Sequence, residues 1–466
     1  MKKSNFNIES FCSELYSQIE IDAEGDFKIC CLANFDEDFG MARDENDNVM
    51  NILTHDFDEA INSKTHREHR IELSNNIQVK RCRNCYDSEA STRRHKNGEI
   101  VFKGKSKRQR VLNVTTAEIP EYVTVDQADN ITNDDGSIDN PNIVNLSIRF
   151  GNICNQKCIM CGPQYSKLWY DDWIAIAKHR IRLKDPVIDN LGLLKKGKYK
   201  TFPIKQDTRG KYKMEYPSWW ESDIWWEKFD KIAPNLRYIY FTGGEPLIVP
   251  AMQECLDRLV KRGYAKNIQL RYDTNLSVLN NKVIEKWKHF KKLYLCISID
   301  DTEERYGLIR HPGNYNRVIE NMKELQRNNI PIAYISACVG IASIYTGIRI
   351  LELSDQFNVD VSLRFLEGPK WIEPRILPKS AKLEIIENLK PYLDRGPKWN
   401  LWIGAEIRLL EKYLDFEDQG YVQEFVNIMD ELDSRRSTDW RKTLPDVYDI
   451  IKRHCLNVNS ERSIDN

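Results

Sequence analysis

This sequence has almost no charge of one sign to spare: 69 Lys and Arg stand against 70 Asp and Glu over 466 residues, a formal net charge of −1. No global attraction to nucleic acid or to an anionic membrane follows. Apolar runs of membrane length are also missing. The opening MKKSNFNIESFCSEL lacks the apolar core of a secretion signal. One uncharged stretch, Pro331 to Ile348, approaches the length of a span. It is interrupted by Ser336, Gly340, Ser343, Thr346 and Gly347, and divides better into a buried strand, a turn and a helix start. Disulfide-like spacing is absent as well. The 12 cysteines gather in metal-like groups, which argues for a reducing compartment, and a soluble cytoplasmic protein is expected.

Hydrophobic residues at 41% and aromatics at 10% suffice for a real core, in a chain long enough for about three domains. The most informative run is CNQKCIMC, with Cys154, Cys158 and Cys161 in C-x-x-x-C-x-x-C spacing. Soft thiolates select zinc, copper(I) or iron–sulfur clusters over hard cations. A structural zinc site needs a fourth ligand, and none follows on this loop; three thiolates suit a four-iron cluster that keeps one iron open. Before the loop, IVNLSIRF (Ile143 to Phe150) reads as a buried strand. A second apolar strand, LRYIYFT (Leu236 to Thr242), runs into Gly243-Gly244-Glu245-Pro246, where glycine permits a sharp turn and close ligand approach. A third, LYLCISID (Leu293 to Asp300), ends in Ser298 and Asp300, a pair suited to bonding a ribose. Polar groups at the ends of apolar strands are how parallel β/α folds build sites.

Taken together, the three-cysteine loop after one strand and the GGEP after another resemble the radical SAM enzyme superfamily. The resemblance implies that Cys154, Cys158 and Cys161 hold a [4Fe–4S] cluster whose fourth iron binds S-adenosylmethionine (SAM). It implies that Gly243, Gly244 and Glu245 meet the methionine amino group, that Ser298 and Asp300 contact the ribose, and that Met160 lies near the adenine. Arg310, just past the Ser-x-Asp strand, is a candidate for the SAM carboxylate. The implied activity is reductive cleavage of SAM to a 5′-deoxyadenosyl radical that takes hydrogen from a substrate.

A second cysteine group lies near the N-terminus. Cys12 is followed by Gly25 and, four residues on, by Cys30; Cys82-Arg-Asn-Cys85 comes later. Between Cys12 and Cys30 the chain alternates around an Asp-Ala-Glu-Gly turn, a hairpin signal that brings the two cysteines together. The spacing resembles the SPASM or twitch auxiliary-cluster module, here placed before rather than after the radical SAM domain. That resemblance makes Cys12, Cys30, Cys82 and Cys85 ligands of an auxiliary [4Fe–4S] cluster for electron transfer; from the residues alone a four-cysteine zinc knuckle stays open. Cys31 reads as a packing neighbour, and Cys255, Cys296, Cys338 and Cys455 as structural thiols.

Six strands, near 143–150, 236–242, 267–273, 293–299, 332–341 and 360–366, alternate with helical patterns such as MQECLDRLVKRG and YNRVIENMKELQRN. Such alternation implies a parallel sheet with right-handed crossovers. The expected fold is α/β: a partial (β/α)6 barrel of radical SAM type, with a small N-terminal cysteine-rich β-hairpin/α module and a helical C-terminal extension. The division expected is an auxiliary module over 1–95, a linker over 96–141, the barrel over 142–370 and the extension over 371–466. An insert carries the basic run from Leu194 to Met214 and the tryptophan-rich PSWWESDIWWEKF, read as a solvated loop and a helix burying Trp226 and Phe229; binding to a nucleic acid strand is the rival reading. By family analogy the substrate is a peptide or protein and the electron donor flavodoxin-like or otherwise of low potential. The alternatives are a small metabolite substrate, or a non-catalytic iron–sulfur or zinc protein for sensing or nucleic-acid binding.

Overall fold

The structure, a computed structural model, describes residues 11–33, 40–90, 93–94, 100–102, 121–182, 204–206, 212–214 and 217–455. Its centre is an eight-stranded sheet. Six of the strands are β3 (Asn145–Arg149), β4 (Tyr238–Thr242), β5 (Gln269–Thr274), β6 (Lys292–Ser298), β7 (Ile332–Val339) and β8 (Asp360–Phe365). They lie side by side in chain order, all parallel. All six coincide with the apolar runs that predict them. The helices α4 (Pro250–Lys261), α5 (Asn281–Trp287), α6 (Tyr315–Arg327) and α7 (Thr346–Phe357) are the crossovers between successive strands from β4 onward. A crossover between parallel strands needs a dozen or more residues, which is why each carries a helix.

Each strand divides its side chains between two faces. Ile239 and Phe241 on β4, Leu270 and Tyr272 on β5, and Ile335, Ala337 and Val339 on β7 join the main apolar core beneath the helices. Their neighbours, among them Tyr240, Arg271, Asp273, Tyr334 and Ser336, turn the other way and line a polar lumen. Pro331 to Ile348 divides as expected, into β7, a short turn at Ile341–Ser343 and the start of α7. No described helix is long and apolar enough to cross a membrane.

The N-terminal hairpin is built into this sheet. Its strands β1 (Gln18–Ile21) and β2 (Phe27–Lys28) pair antiparallel, and β1 also pairs parallel with β3, from Gln18 against Asn145 to Ile21 against Ile148. The order from one edge to the other is therefore β8-β7-β6-β5-β4-β3-β1-β2. The hairpin's turn is covered by the tryptophan cluster. Trp219 donates from its indole to the carbonyl of Ala23 at 3.4 Å and stacks on Phe150 at 5.4 Å. In α3 (Asp223–Ile232) it is Trp225, not Trp226, that is fully buried with Phe229. Trp226, one position round the helix, is half-buried under the Arg258 guanidinium at 4.4 Å. Most of the basic run before this cluster, and residues 103–120 of the expected linker, lie outside the described residues.

Behind the hairpin, α1 (Lys64–Ser74) delivers Arg70 into a small second core. Its guanidinium donates to the carbonyls of Leu15, Ile61 and Gly136 and to Asn62 Oδ1. A buried cation held by four separate acceptors ties three segments of the module together. At the other end of the chain, α8 (Lys379–Leu389), α9 (Pro397–Lys412), α10 (Gln419–Arg436) and α11 (Pro445–His454) form the helical extension.

Candidate functional site

The cysteine loop leaves β3 at the end where the parallel strands finish. Its backbone is pinned on both sides. Lys157 and Ile159 donate their N–H groups to the carbonyls of His311 and Ile309 at 2.6 and 2.9 Å, and the Trp169 indole donates to the carbonyl of Cys158 at 2.8 Å. Glu245 donates its N–H to the carbonyl of Ile153, one residue before Cys154, at 2.8 Å. The GGEP turn thus lies directly on the cysteine loop. Gly244 allows this: a β-carbon there would sit 2.0 Å from the Ile153 carbonyl oxygen. Gly243 takes φ +120°, a conformation that side chains rarely adopt.

Buried Glu245 spends its carboxylate on the protein. One oxygen accepts from the Leu247 N–H and Thr274 hydroxyl at 3.0 and 2.7 Å, and the other accepts from the Asn275 N–H at 2.6 Å. It therefore locks the GGEP turn to the end of β5. Ser298 ends β6 on the lumen face. Asp300, fully buried, accepts from the Cys338 N–H at 2.7 Å and pairs with Arg310 Nη2 at 2.7 Å. Arg310 Nη1 lies 4.0 Å from Cys158 Sγ. Met160 is half-buried against the main core. Cys154, Cys158, Gly244, Glu245, Asp300 and Arg310 thus share one end of the barrel.

The three thiols sit in different fields. Burial, with Cys158 beside it, pushes Cys154 up to about 12. Cys158 and Cys161 share a proton: the hydrogen bond from Cys161, with Arg310 behind it, holds Cys158 below the ordinary thiol value, and the same bond together with burial pushes Cys161 up. Thiolates are what bind iron, so a cation beside the loop favours loading. The donor set, three thiols and no fourth side-chain ligand on the loop, fits a four-iron cluster with one iron open to a ligand.

A clamp holds this loop from the far end of the chain. Asp172 on α2 (Tyr170–Arg182) pairs with Lys157 of the loop at 2.7 Å and with Arg435 and Arg436 of α10 at 3.1 and 2.9 Å. The Arg436 guanidinium lies over Trp169 at 4.6 Å. Sequence reasoning missed these residues, because charges so far apart in the chain each look like ordinary surface.

The second cysteine group converges at the opposite end of the sheet. Cys12 precedes β1 and Cys30 follows the antiparallel β2, so both lie where the parallel strands begin. One cavity is lined by Cys12, Cys30, Cys82, Cys85, Glu14, His69 and Arg81, among others. All four cysteines predicted for this site are brought together. The donor set, four thiols around one cavity, fits a second four-iron cluster. Buried His69 lies 3.3 Å through Nε2 from Cys82 Sγ; burial, with Arg81 and Arg70 near, pushes the ring down to about 3, so it is neutral. Cys31 is not among the lining residues and lies within electrostatic reach of Tyr240 instead. Asn145, at the start of β3, donates to Glu14, Gln18 and the Tyr122 hydroxyl, linking this cavity's wall to the barrel floor. Among the described residues, no group of three His, Cys, Asp or Glu side chains is arranged to hold a single metal ion.

Comparison with known proteins covers both regions. The profile of the radical SAM superfamily matches residues 148–344, and that of an iron–sulfur cluster-binding domain, SPASM, matches residues 12–86. The chain is similar to the radical SAM superfamily over the barrel and to SPASM over the module ahead of it. Its cofactors are [4Fe–4S] clusters and SAM. Similar solved structures include Streptococcus suis SuiB bound to S-adenosylmethionine, 14% identical over 54% of this chain and 48% of that one, with a TM-score of 0.31. Another is anSMEcpe with bound AdoMet, 14% identical over 53% of this chain and 60% of that one, TM-score 0.33. The chain thus matches about half the length of these proteins. No curated protein matches it.

Proposed function

We propose that this chain cleaves SAM reductively and uses the product to take a hydrogen atom from a peptide or protein substrate. The observation that carries the reading is the GGEP turn hydrogen-bonded onto the loop of Cys154, Cys158 and Cys161 at the strand ends. Those three cysteines hold the first cluster, and Cys12, Cys30, Cys82 and Cys85 the auxiliary one. When bound, the first cluster and SAM supply a 5′-deoxyadenosyl radical by one-electron cleavage of a carbon–sulfur bond. The chain's own residues do the rest. The GGEP turn shapes the seat for the methionine end, Ser298 and Asp300 stand where the ribose is read, and Arg310 sets a positive charge beside Cys158. Met160 packs toward the adenine. The polar lumen beneath holds the substrate between the two cysteine sites.

Support for a peptide substrate comes from the SPASM module and from similarity to SuiB bound to its precursor peptide SuiA. We assign 1–95 to the auxiliary module, 96–141 to a linker, 142–370 to the barrel and 371–466 to the extension. The protein works in the cytoplasm with a flavodoxin-like or other low-potential donor. Anaerobic reconstitution tests the reading: about eight irons per chain and release of 5′-deoxyadenosine on reduction with SAM are expected. Zinc in place of iron at both sites, or no 5′-deoxyadenosine, overturns it.

A further inference from the structure

Charge nearly cancels over the whole chain, but it does not cancel on the outer side of the cysteine loop. Three cations, Lys157, Arg435 and Arg436, share the single carboxylate of Asp172 at 2.7, 3.1 and 2.9 Å. Lys167, just before α2, is exposed and has no ion pair among the described residues. Nearby acids do not restore the balance. Exposed Asp171 offsets one charge, and Asp433 on α10 turns away to the Thr438 hydroxyl at 2.6 Å and the Trp440 N–H at 2.7 Å. Four cations against Asp171 and Asp172 leave a positive face. Trp169 connects that face to the first cysteine site. It is fully buried, donates its indole N–H to the Cys158 carbonyl at 2.8 Å and lies beneath the Arg436 guanidinium at 4.6 Å. Its predecessor, Leu168, is 39% exposed. The short turn Lys167–Trp169 therefore runs from solvent to the backbone of Cys158. An exposed apolar side chain ringed by cations suits a transient protein interface, in which charge steers the encounter and apolar contact seats it.

We propose that this face, Leu168 with Lys157, Lys167 and Arg435 around it, docks an acidic one-electron donor of the flavodoxin class, and that the electron enters the first cysteine site on its Trp169 side. The step moves one electron from the reduced donor to the cluster; no bond forms or breaks. The inference rests on the radical reading above, whose chemistry needs a low-potential electron. Electron-transfer complexes are small and weak, so long-range charge governs their formation and salt weakens them. The test is binding of an acidic bacterial flavodoxin to the anaerobically reconstituted full chain, measured by surface plasmon resonance at low and high salt. Binding at low salt that fades at high salt is expected. Lys167→Glu should weaken it roughly fivefold. Asp171→Lys should strengthen it by a similar factor, which damage to the fold would not do. Both variants should keep the parent's iron content and its 5′-deoxyadenosine formation with dithionite, while formation driven by reduced flavodoxin follows the affinity. Flavodoxin affinity that ignores both substitutions overturns the proposal. So does equal slowing of the dithionite and flavodoxin reactions by Lys167→Glu, which would make the turn a support of the site. Absence of flavodoxin binding, with a single-stranded oligonucleotide bound through Lys167 instead, gives the face to a nucleic acid and overturns it as well. No 5′-deoxyadenosine from the parent with dithionite strikes the radical reading, and the binding measurement still decides the docking face.

Discussion

The two cysteine sites lie at opposite ends of the β1–β3 pair, and the chain delivers their ligands in different ways. At the strand ends, three thiols come from one eight-residue loop that neighbouring backbone holds at Ile153, Lys157 and Ile159 and the Trp169 indole holds at Cys158. At the strand starts, four thiols come from three separate segments, assembled by a hairpin and by α1 packing behind it. The first site has rigid local geometry and no fourth thiol on its loop. The second has a full set of thiols, and its geometry depends on tertiary packing. An open coordination position suits ligand chemistry; a closed thiolate set suits electron transfer, with potential set by the surrounding hydrogen bonds and burial.

This contrast can be broken most directly by removing one thiol from each end. Cys158→Ala should abolish 5′-deoxyadenosine formation and lower iron from about eight to about four per chain. Cys85→Ala should remove as much iron and leave 5′-deoxyadenosine formation in place. Equal silence from both variants would erase the distinction. Next in size, Gly244→Ala drives a methyl into the Ile153 carbonyl. It should cost about 3 kcal/mol or more and displace the cysteine loop, seen as a lower Tm and lost cluster absorbance at the strand-end site only.

A smaller effect is expected from the clamp. Asp172→Asn leaves Lys157, Arg435 and Arg436 without their shared anion and should cost about 3 kcal/mol at neutral pH. Burial works to raise the Asp172 carboxyl, but Lys157 and Arg436 outweigh it and hold the group below the usual range. The sign follows: its contribution is complete above the ordinary carboxylate value of about 3.9 and is lost as pH falls through the lower native value. Thermal melts across acid pH should show the parent losing stability there, while Asp172→Asn is flatter. The smallest effect is at the strand starts. His69→Leu removes the imidazole nitrogen 3.3 Å from Cys82 Sγ, which toward a thiolate can only donate. Hydrogen bonds to sulfur stabilise the more negative reduced cluster, so the auxiliary midpoint potential should fall in a redox titration followed by EPR. The strand-end potential should not move.

How much of this was readable in the chain depends on how local the signal is. β3 to β8 follow from apolar runs, and the strand-end site from a loop and a turn whose residues are contiguous. The hairpin was readable for the same reason. That β1 continues the barrel sheet was not, because parallel pairing with Asn145 to Ile148 leaves no mark in either segment. Cys296 and Cys338 read as small core residues, yet both face the lumen, near Asp273 and Tyr334 and near Asp300 and Arg310 respectively. A strand buried on both faces offers no alternation from which to tell lumen from core. Trp225 and Trp226 exchanged roles because one position on a helix turns a side chain by about 100°, while both indoles still find cover.

Because β1 occupies the edge of β3, the auxiliary module cannot be trimmed away as an appendage. A chain starting after residue 141 would present an uncovered apolar strand, with Leu146 and Ile148 flanking a row of unsatisfied amides. Such a surface invites intermolecular β-stacking and insoluble material. Preparations of the barrel alone are then a poor guide to what the whole chain does.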